Sequence, residues 1–124
     1  MGKFLVKKTD TGIKFDLKAV NGETIASSEV YNSEASCLKG VESVRKCCTG
    51  EIEDQTIEGF KKLKHPKFEI YKDKSGNFRF RLKARNGEVI ATSGSYKAKA
   101  SCLKGINSVK KNAPVSGIVK NFED

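Results

Sequence analysis

The sequence has little of what catalytic and metal sites are built from. It contains one histidine, His65, and its four cysteines form no Cys-x-x-Cys pair, so a four-ligand zinc site lacks donors. His65 precedes Pro66 and has no evident nucleophile or carboxylate partner. A glycine-rich phosphate loop is also absent, because the Asn-Gly-Glu segments lie between two predicted strands and are typical of hairpins. We therefore expect no catalytic residue, metal or cofactor, and predict that the protein is not an enzyme.

Long apolar runs are missing as well. No stretch approaches the ~20 apolar residues that a membrane span needs, and the first residues lack the apolar core of a secretory signal. With 37% hydrophobic and 31% charged residues, the composition is typical of a folded globular protein. We expect a cytoplasmic protein with no membrane partner. In that reducing compartment the cysteines are predicted to be small, reduced core residues, namely Cys37, Cys47, Cys48 and Cys102.

Acidic residues are scarce in only one half of the chain. The sequence holds 24 Lys and Arg against 15 Asp and Glu, a formal net charge of +9. Residues 1–64 contain 11 basic and 10 acidic residues, which leaves +1, whereas residues 65–124 contain 13 and 5, which leaves +8. A basic excess favours polyanionic partners, and this excess lies almost entirely in the second half.

What the sequence does contain is one unit written twice. The segment 15–48 aligns with 80–113 at a constant offset of about 65, with roughly twenty identities in thirty-four positions. Ala-Ser-Cys-Leu-Lys-Gly recurs unchanged at 35–40 and 100–105. We predict a first repeat at residues 1–57, a linker at 58–66 and a second repeat at 67–124. Because one such unit alone would bury only ~60% of its unfolded surface and be marginally stable, the two are expected to form one pseudo-twofold domain.

Each unit is predicted to fold as β-β-β-α-β. Alternation of apolar and polar residues indicates the first two strands, at 3–8 and 13–20 in the first copy and at 68–72 and 78–85 in the second. Asn-Gly then turns the chain into a third strand, which an amphipathic helix and a short closing strand follow. Glycines 40 and 105 beside the apolar helix stripe predict a close approach of each helix to the sheet.

The hairpin register can be chosen from side-chain burial. A two-residue loop would place Ile90 opposite Lys83 on the charged face. A three-residue loop with Gly87 in the left-handed conformation pairs Leu82 with Ile90 instead, and buries the isoleucine. We favour the second register, with Leu17 and Ile25 paired in the same way.

The repeated motif resembles that of the YegP-like family of small bacterial tandem-repeat proteins of unknown function. The shared pattern is Phe-x-Leu-Lys-Ala-x-Asn-Gly-Glu-x-Ile, then Ser-x-x-Tyr, then a helix with Lys-Gly-Val/Ile-x-Ser-Val-Arg/Lys, over 15–46 and again over 80–111. The resemblance implies an α+β fold in which two β-β-β-α-β repeats form one mainly antiparallel sheet and exchange their closing strands. It implies no activity. The acidic segment 51–54 and the Cys47-Cys48 pair depart from the pattern.

The second strand of repeat 2 carries the candidate binding site. Alternation sends four cations to one face of the sheet, with an aromatic residue on the neighbouring strand: Arg79, Arg81, Lys83, Arg85 and Tyr71. A basic row with an aromatic can track a phosphate backbone and stack a base. We therefore favour a non-catalytic module that binds a polyanion or single-stranded nucleic acid. The alternative is a protein-interaction module that uses a sheet edge or the open sheet face.

Overall fold

The computed structural model describes residues 2–122, and so leaves the outermost residues of the two predicted repeats, Met1, Glu123 and Asp124, outside the description. Within this range the chain forms eight strands and two long helices. The strands are β1 (Lys3–Lys8), β2 (Ile13–Lys18), β3 (Thr24–Ser27), β4 (Glu51–Asp54), β5 (Lys67–Lys72), β6 (Phe78–Lys83), β7 (Val89–Thr92) and β8 (Gly117–Asn121). The helices are α1 (Glu34–Cys47) and α2 (Lys99–Asn112), the latter followed by a short 3-10 helix (Ala113–Val115).

All eight strands form one mixed sheet, in the order β4-β5-β6-β7-β3-β2-β1-β8. The order reads the same from both ends when equivalent strands of the two repeats are exchanged, so the sheet has the predicted pseudo-twofold symmetry. The closing strand of repeat 1, β4, pairs in parallel with β5 of repeat 2, and β8 pairs in parallel with β1. The other five pairings are antiparallel. This confirms the α+β tandem fold and the exchange of closing strands.

Both helices pack on one face of the sheet. Period-two alternation directs Phe15 and Leu17 of β2, and Phe80 and Leu82 of β6, to that face, where all four are buried. Helix α1 covers β2 and also reaches β6 and β7, while α2 covers β6 and β3. Each helix therefore lies over strands of both repeats, and the apolar side chains make one continuous core.

The β6–β7 hairpin confirms one part of the predicted turn and corrects another. Gly87 has φ +84°, the left-handed conformation that the three-residue loop requires. However, Leu82 pairs with Ala91 instead of Ile90, because the register shifts between Leu82 and Lys83. Ile90 occupies the resulting bulge and remains buried. The β2–β3 hairpin has the same bulge at Ile25.

The helix glycines lie against aromatic rings. A Cβ on Gly105 would stand 2.5 Å from Tyr96 Oη and 2.9 Å from Phe80 Cε2, and one on Gly40 would collide with Tyr31 Oη. The predicted close approach is therefore confirmed. Tyr31 stacks on Phe15 of β2, and Tyr96 stacks on Phe80 of β6. Each helix glycine therefore packs against a pair of aromatic rings that belongs to the sheet side of the core.

Candidate functional site

The face of the sheet opposite the helices, here called the open face, carries most of the strand cations. Directly paired residues share a face, so the register defines its members on the four long strands. They are Lys3, Leu5, Lys7, Lys14, Asp16, Lys18, Lys67, Glu69, Tyr71, Arg79, Arg81 and Lys83. Eight of these twelve side chains are cationic and two are carboxylates, and β4 adds Glu51 and Glu53 at one end.

The structure brings together four of the five predicted site residues. Arg79 and Tyr71 are paired across β6 and β5, and the Arg81 guanidinium lies 4.3 Å from the centre of the Tyr71 ring. Lys83 follows on the same face. Arg85 is separate, because β6 ends at Lys83 and the bulged hairpin carries Arg85 to a groove beside helix α1. The strand predicted at residues 78–85 therefore extends two residues beyond the observed end of β6 at Lys83.

Acidic neighbours neutralise part of this row. Arg79 Nε donates to Asp73 Oδ2 at 2.8 Å, and Arg81 Nε donates to Glu69 Oε1 at 2.6 Å. Lys83 Nζ lies 3.6 Å from the same Glu69 oxygen. Burial raises the pKa of Glu69, but hydrogen bonds from Arg81 and Lys67 outweigh it and lower the pKa below its ordinary value. The row therefore presents less free charge than its composition suggests.

A buried ion cluster lies at the β4–β5 end of the open face. Lys67, only 1% exposed, donates from Nζ to Glu53 Oε1 at 2.7 Å and lies 3.2 Å from Glu69 Oε2. Residues 55–66 fold over this end, where the Leu63 N–H and Gln55 Nε2 also donate to Glu53. Burial raises the pKa of Glu53, but these hydrogen bonds, that from Lys67 foremost, reverse the effect and lower it to about 2. Sequence reasoning missed this cluster, although the acidic segment 51–54 was its visible signal.

Repeat 1 contributes more unbalanced charge to the open face than its second strand alone indicates. Strand β1 adds Lys3 and Lys7 to the Lys14 and Lys18 of β2, and Asp16 is the one carboxylate among them. Lys7 Nζ and Lys14 Nζ lie 2.7 and 3.2 Å from the Asp16 carboxylate. Lys3 and Lys18 face each other across the two strands, and neither has a carboxylate partner within residues 2–122. The unbalanced positive charge of the open face therefore lies on β1 and β2. The four cations on β5 and β6 are offset by nearby carboxylates, namely Glu51, Glu53, Glu69 and Asp73.

Two grooves lie on the helix side, each between a helix of one repeat and a hairpin tip of the other. The first groove, about 390 Å³, separates α1 from the β6–β7 hairpin and is lined by Ser43, Lys46, Cys47, Pro66, Ala84, Arg85 and Asn86. The second groove, about 540 Å³, separates α2 from the β2–β3 hairpin and is lined by Ala19, Val20, Asn21, Lys104, Asn107, Ser108, Lys111 and Asn112. Both volumes fall in or near the range of small-molecule sites.

Other classes of site find little support in the part of the chain that the structure describes. No three His, Cys, Asp or Glu side chains between residues 2 and 122 are grouped so that they could hold a metal ion. The four cysteines are buried and unpaired by disulfides. Burial raises the pKa of the Cys102 thiol to about 11. The two α-helices, of 14 residues each, are too short and too polar to cross a membrane.

Comparison with known proteins shows similarity throughout the chain. A family model described as a domain of unknown function (DUF1508) matches residues 9–54 and again residues 73–119. A UPF0339 protein of Pseudomonas aeruginosa is 38% identical over 117 residues, which cover 94% of each chain. A UPF0339 protein of Treponema denticola is 67% identical over 54 residues, which are 44% of this chain and 93% of its own. The solution NMR structure of YegP from Escherichia coli, a protein of unknown function, superposes with a TM-score of 0.81 at 35% identity and covers 99% of this chain and 95% of its own. The resemblance predicted from the repeated motif is confirmed.

Proposed function

Because the chain belongs to the family of DUF1508, a domain of unknown function whose name indicates no activity, we propose a function from the geometry of the chain itself. The protein is a non-catalytic binding module for a polyanion, and its polyanion is single-stranded nucleic acid. The open face is the binding surface. The observation that carries the proposal is the distribution of charge there, with seven cations besides the buried Lys67, on strands β1, β2 and β6 of the two repeats.

The shape of the open face supports an extended ligand. The short central strands β3 and β7 meet at Ser27 and Thr92, small hydroxyl residues that leave a shallow seam. Strands β2 and β6, with their basic side chains, flank this seam three strand spacings apart, about 14 Å. A phosphate backbone lying along the seam would have cations on both sides and only small side chains beneath it. Tyr71, already stacked with Arg81, offers a platform for a base at one flank.

The electrostatics refine which residues carry the binding. Lys18 belongs to repeat 1 and Lys83 is its equivalent in repeat 2, and both are half-buried on strands that flank the seam. Lys18 has no carboxylate partner within residues 2–122, and Lys83 has only a 3.6 Å contact with Glu69. These two lysines should contribute more than Arg79 and Arg81, whose guanidinium groups are held by shorter ion pairs.

Fluorescence anisotropy with a labelled single-stranded oligonucleotide across a salt series tests the proposal. Four phosphate contacts predict a log–log salt slope of roughly −3, at about −0.7 per contact on single strands. The double variant Lys18→Gln and Lys83→Gln should weaken binding and reduce the slope by about 1.4. The matched control is Lys104→Gln with Lys111→Gln on the helix side, which should leave oligonucleotide binding unchanged. No binding at about 50 mM salt, or equal losses from both pairs, would refute the polyanion function.

An exposed apolar edge favours protein interaction as the second candidate. Strand β8 is an outer strand of the sheet, and its Ile118 and Val119 are 37% and 43% exposed. An outer strand with apolar side chains can accept the strand of a partner by β-augmentation. If Val119→Lys abolishes recovery of a specific protein partner while oligonucleotide binding is absent, this second function replaces the first.

A further inference from the structure

The internal duplication allows the exposed surface to be compared between the two repeats. Among the aligned positions 15–48 and 80–113, twelve are exposed in both copies and six of these hold the same residue. The six pairs are Asn21/Asn86, Glu23/Glu88, Ala35/Ala100, Ser36/Ser101, Lys39/Lys104 and Lys46/Lys111. Core identity follows from packing, because interiors tolerate few changes of shape. Asn21 and Asn86 are explained by their turns, where each accepts the N–H of the glutamate two residues later. The repeated lysines Lys104 and Lys111 form no ion pair among residues 2–122, so their charge is available to a ligand.

Five of these six positions converge on one place. In the second groove, Asn21 and Lys111 line the cavity, and Lys104 joins it to an adjoining cavity of about 230 Å³ that contains Glu23 and Ser101. The residues come from the β2–β3 hairpin of repeat 1 and from α2 of repeat 2, so they meet only because the two repeats pack together. On α2 the polar residues recur at spacings of three and four, as Ser101, Lys104, Ser108 and Lys111, which places them in one stripe along the helix.

The two ends of the second groove differ in chemistry. One end is lined by Lys104, Lys111, Asn21, Asn107 and Asn112, and no carboxylate from residues 2–122 lines it. Asn21 lines this end, and its Oδ1 accepts the N–H of Glu23, so its Nδ2 group remains available to donate to a ligand. The other end holds the Glu23 carboxylate with the hydroxyls of Ser101, Thr24 and Tyr96. The first end suits an anion, and the second suits a group that donates hydrogen bonds.

We propose that the second groove binds a small phosphorylated sugar or polyol. The phosphate lies between Lys104 and Lys111, which supply charge, and Asn21 Nδ2, which supplies a directed hydrogen bond. The hydroxyl groups of the ligand donate to Glu23 and exchange hydrogen bonds with Ser101 at the other end. Ala19 and Val20 provide the apolar wall against which the carbon skeleton packs.

The first groove lies between the equivalent elements of the two repeats but is smaller. Its volume is about 390 Å³ against 540 Å³, and Pro66 from the connection between the repeats lines it. Arg85 stands where the second groove has Val20, and Cys47 where it has Asn112. It therefore has two cations, Lys46 and Arg85, although Lys39, the equivalent of Lys104, does not line it. It also loses part of the room and the polar contacts for a ligand body. The proposal is independent of the open face, because the grooves lie on the opposite side of the sheet.

A ¹⁵N NMR titration of the full chain with ribose 5-phosphate tests the proposal. Saturable shifts are expected at the side-chain amides of Asn21, Asn107 and Asn112. Inorganic phosphate should bind the same residues at least tenfold more weakly, and ribose should not bind. Lys104→Gln with Lys111→Gln, both exposed helix positions that the substitution keeps helical, should weaken ribose 5-phosphate binding at least tenfold. Lys18→Gln with Lys83→Gln on the open face is the matched control and should leave it unchanged.

The variant Glu23→Gln tests recognition of the sugar hydroxyl groups separately from recognition of the phosphate. It should weaken ribose 5-phosphate severalfold while the binding of inorganic phosphate stays the same or tightens, because a negative charge is removed. The proposal is overturned if ribose 5-phosphate shifts no groove residue, or if the Lys104/Lys111 pair can be replaced without effect. It is likewise overturned if inorganic phosphate binds as tightly as the sugar phosphate. Loss of oligonucleotide binding by the open-face variant would bear only on the function proposed above.

Discussion

Replacing Lys67 with methionine tests the buried ion cluster at the β4–β5 end of the open face. The ammonium group stands between Glu53 Oε1 at 2.7 Å and Glu69 Oε2 at 3.2 Å, and the two glutamates are direct neighbours on adjacent strands. Methionine fills a similar volume but leaves two buried carboxylates facing each other without the charge between them. Removing one partner of a buried ion pair typically costs about 3–5 kcal/mol, so we expect the free energy of unfolding at pH 7 to fall by about that amount.

The pH dependence gives this prediction a sign as well as a size. In the native protein the pKa of Glu53 is lowered from 4.5 to about 2. Its ionised form therefore stabilises the fold above about pH 4.5, and that contribution, about 3 kcal/mol, is lost as the pH falls from 4.5 toward 2. In the variant, burial is no longer opposed by Lys67, so the pKa of Glu53 rises above its ordinary value and the protonated form is favoured. Lowering the pH therefore removes a destabilising buried charge from the variant, whereas in the parent it removes the stabilising ionised form of Glu53.

Urea unfolding followed by circular dichroism at pH 7 and pH 4 measures both effects. The gap in unfolding free energy between parent and variant should be smaller at pH 4 than at pH 7. The matched control is Lys3→Met, because Lys3 occupies the equivalent position in repeat 1 but is exposed, beside Leu5 where Lys67 has Glu69. We expect it to change stability by less than about 0.5 kcal/mol. A gap that is unchanged or larger at pH 4, or an equal cost at Lys3, would refute the reasoning.

Three further predictions concern the helices. Gly105→Leu should lower stability by about 1–3 kcal/mol through overpacking against Tyr96 and Phe80, while Gly94→Ala, in open space, should change it by less than about 0.5 kcal/mol; a melting temperature of Gly105→Leu at or above that of the parent contradicts this. Native thiol labelling of Cys102 at pH 8 should be slow, since the thiol is buried and its pKa is about 11; fast labelling would show that the helix packs differently. Ser33→Ala should destabilise by about 1 kcal/mol, because Ser33 Oγ accepts the Ser36 N–H, and Ala98→Ser should stabilise by about 0.5 kcal/mol where no side chain caps α2. Denaturant titration that finds the same sign for both substitutions would contradict the capping assignment.

The fold was largely predictable because its signals are local and occur twice. Alternation at 13–18 and 78–83 defines the second strand of each repeat, and the left-handed Gly87 follows from the Asn-Gly turn. Alternation could not predict the bulge at Ile90. Ile90 is buried in the bulged register of the structure, and the regular register that we favoured also buries it. The bulge also explains why Arg85 leaves the row in which the pattern placed it.

The candidate sites were less accessible to sequence reasoning because they depend on contacts between distant segments. Lysine is among the residues least often buried, and Lys67 is buried only because residues 55–66 return over the sheet and bring Leu63 to Glu53. The second groove requires a hairpin of one repeat to meet a helix of the other. Its one signal in the sequence is that exposed residues such as Asn21 and Lys104 are among those that both repeats share.

The exchange of closing strands determines what holds the two halves together. Strand β4 belongs in sequence to the first half but completes the sheet beside β5, and β8 completes it beside β1. Cutting the backbone within residues 55–66 would therefore produce two fragments that still supply each other's outer strands, and their separation would become a bimolecular equilibrium that depends on dilution. In the intact chain the same strand pairing is intramolecular, at the high effective concentration set by a short connection. Joining the units thus makes the stability of this assembly independent of protein concentration.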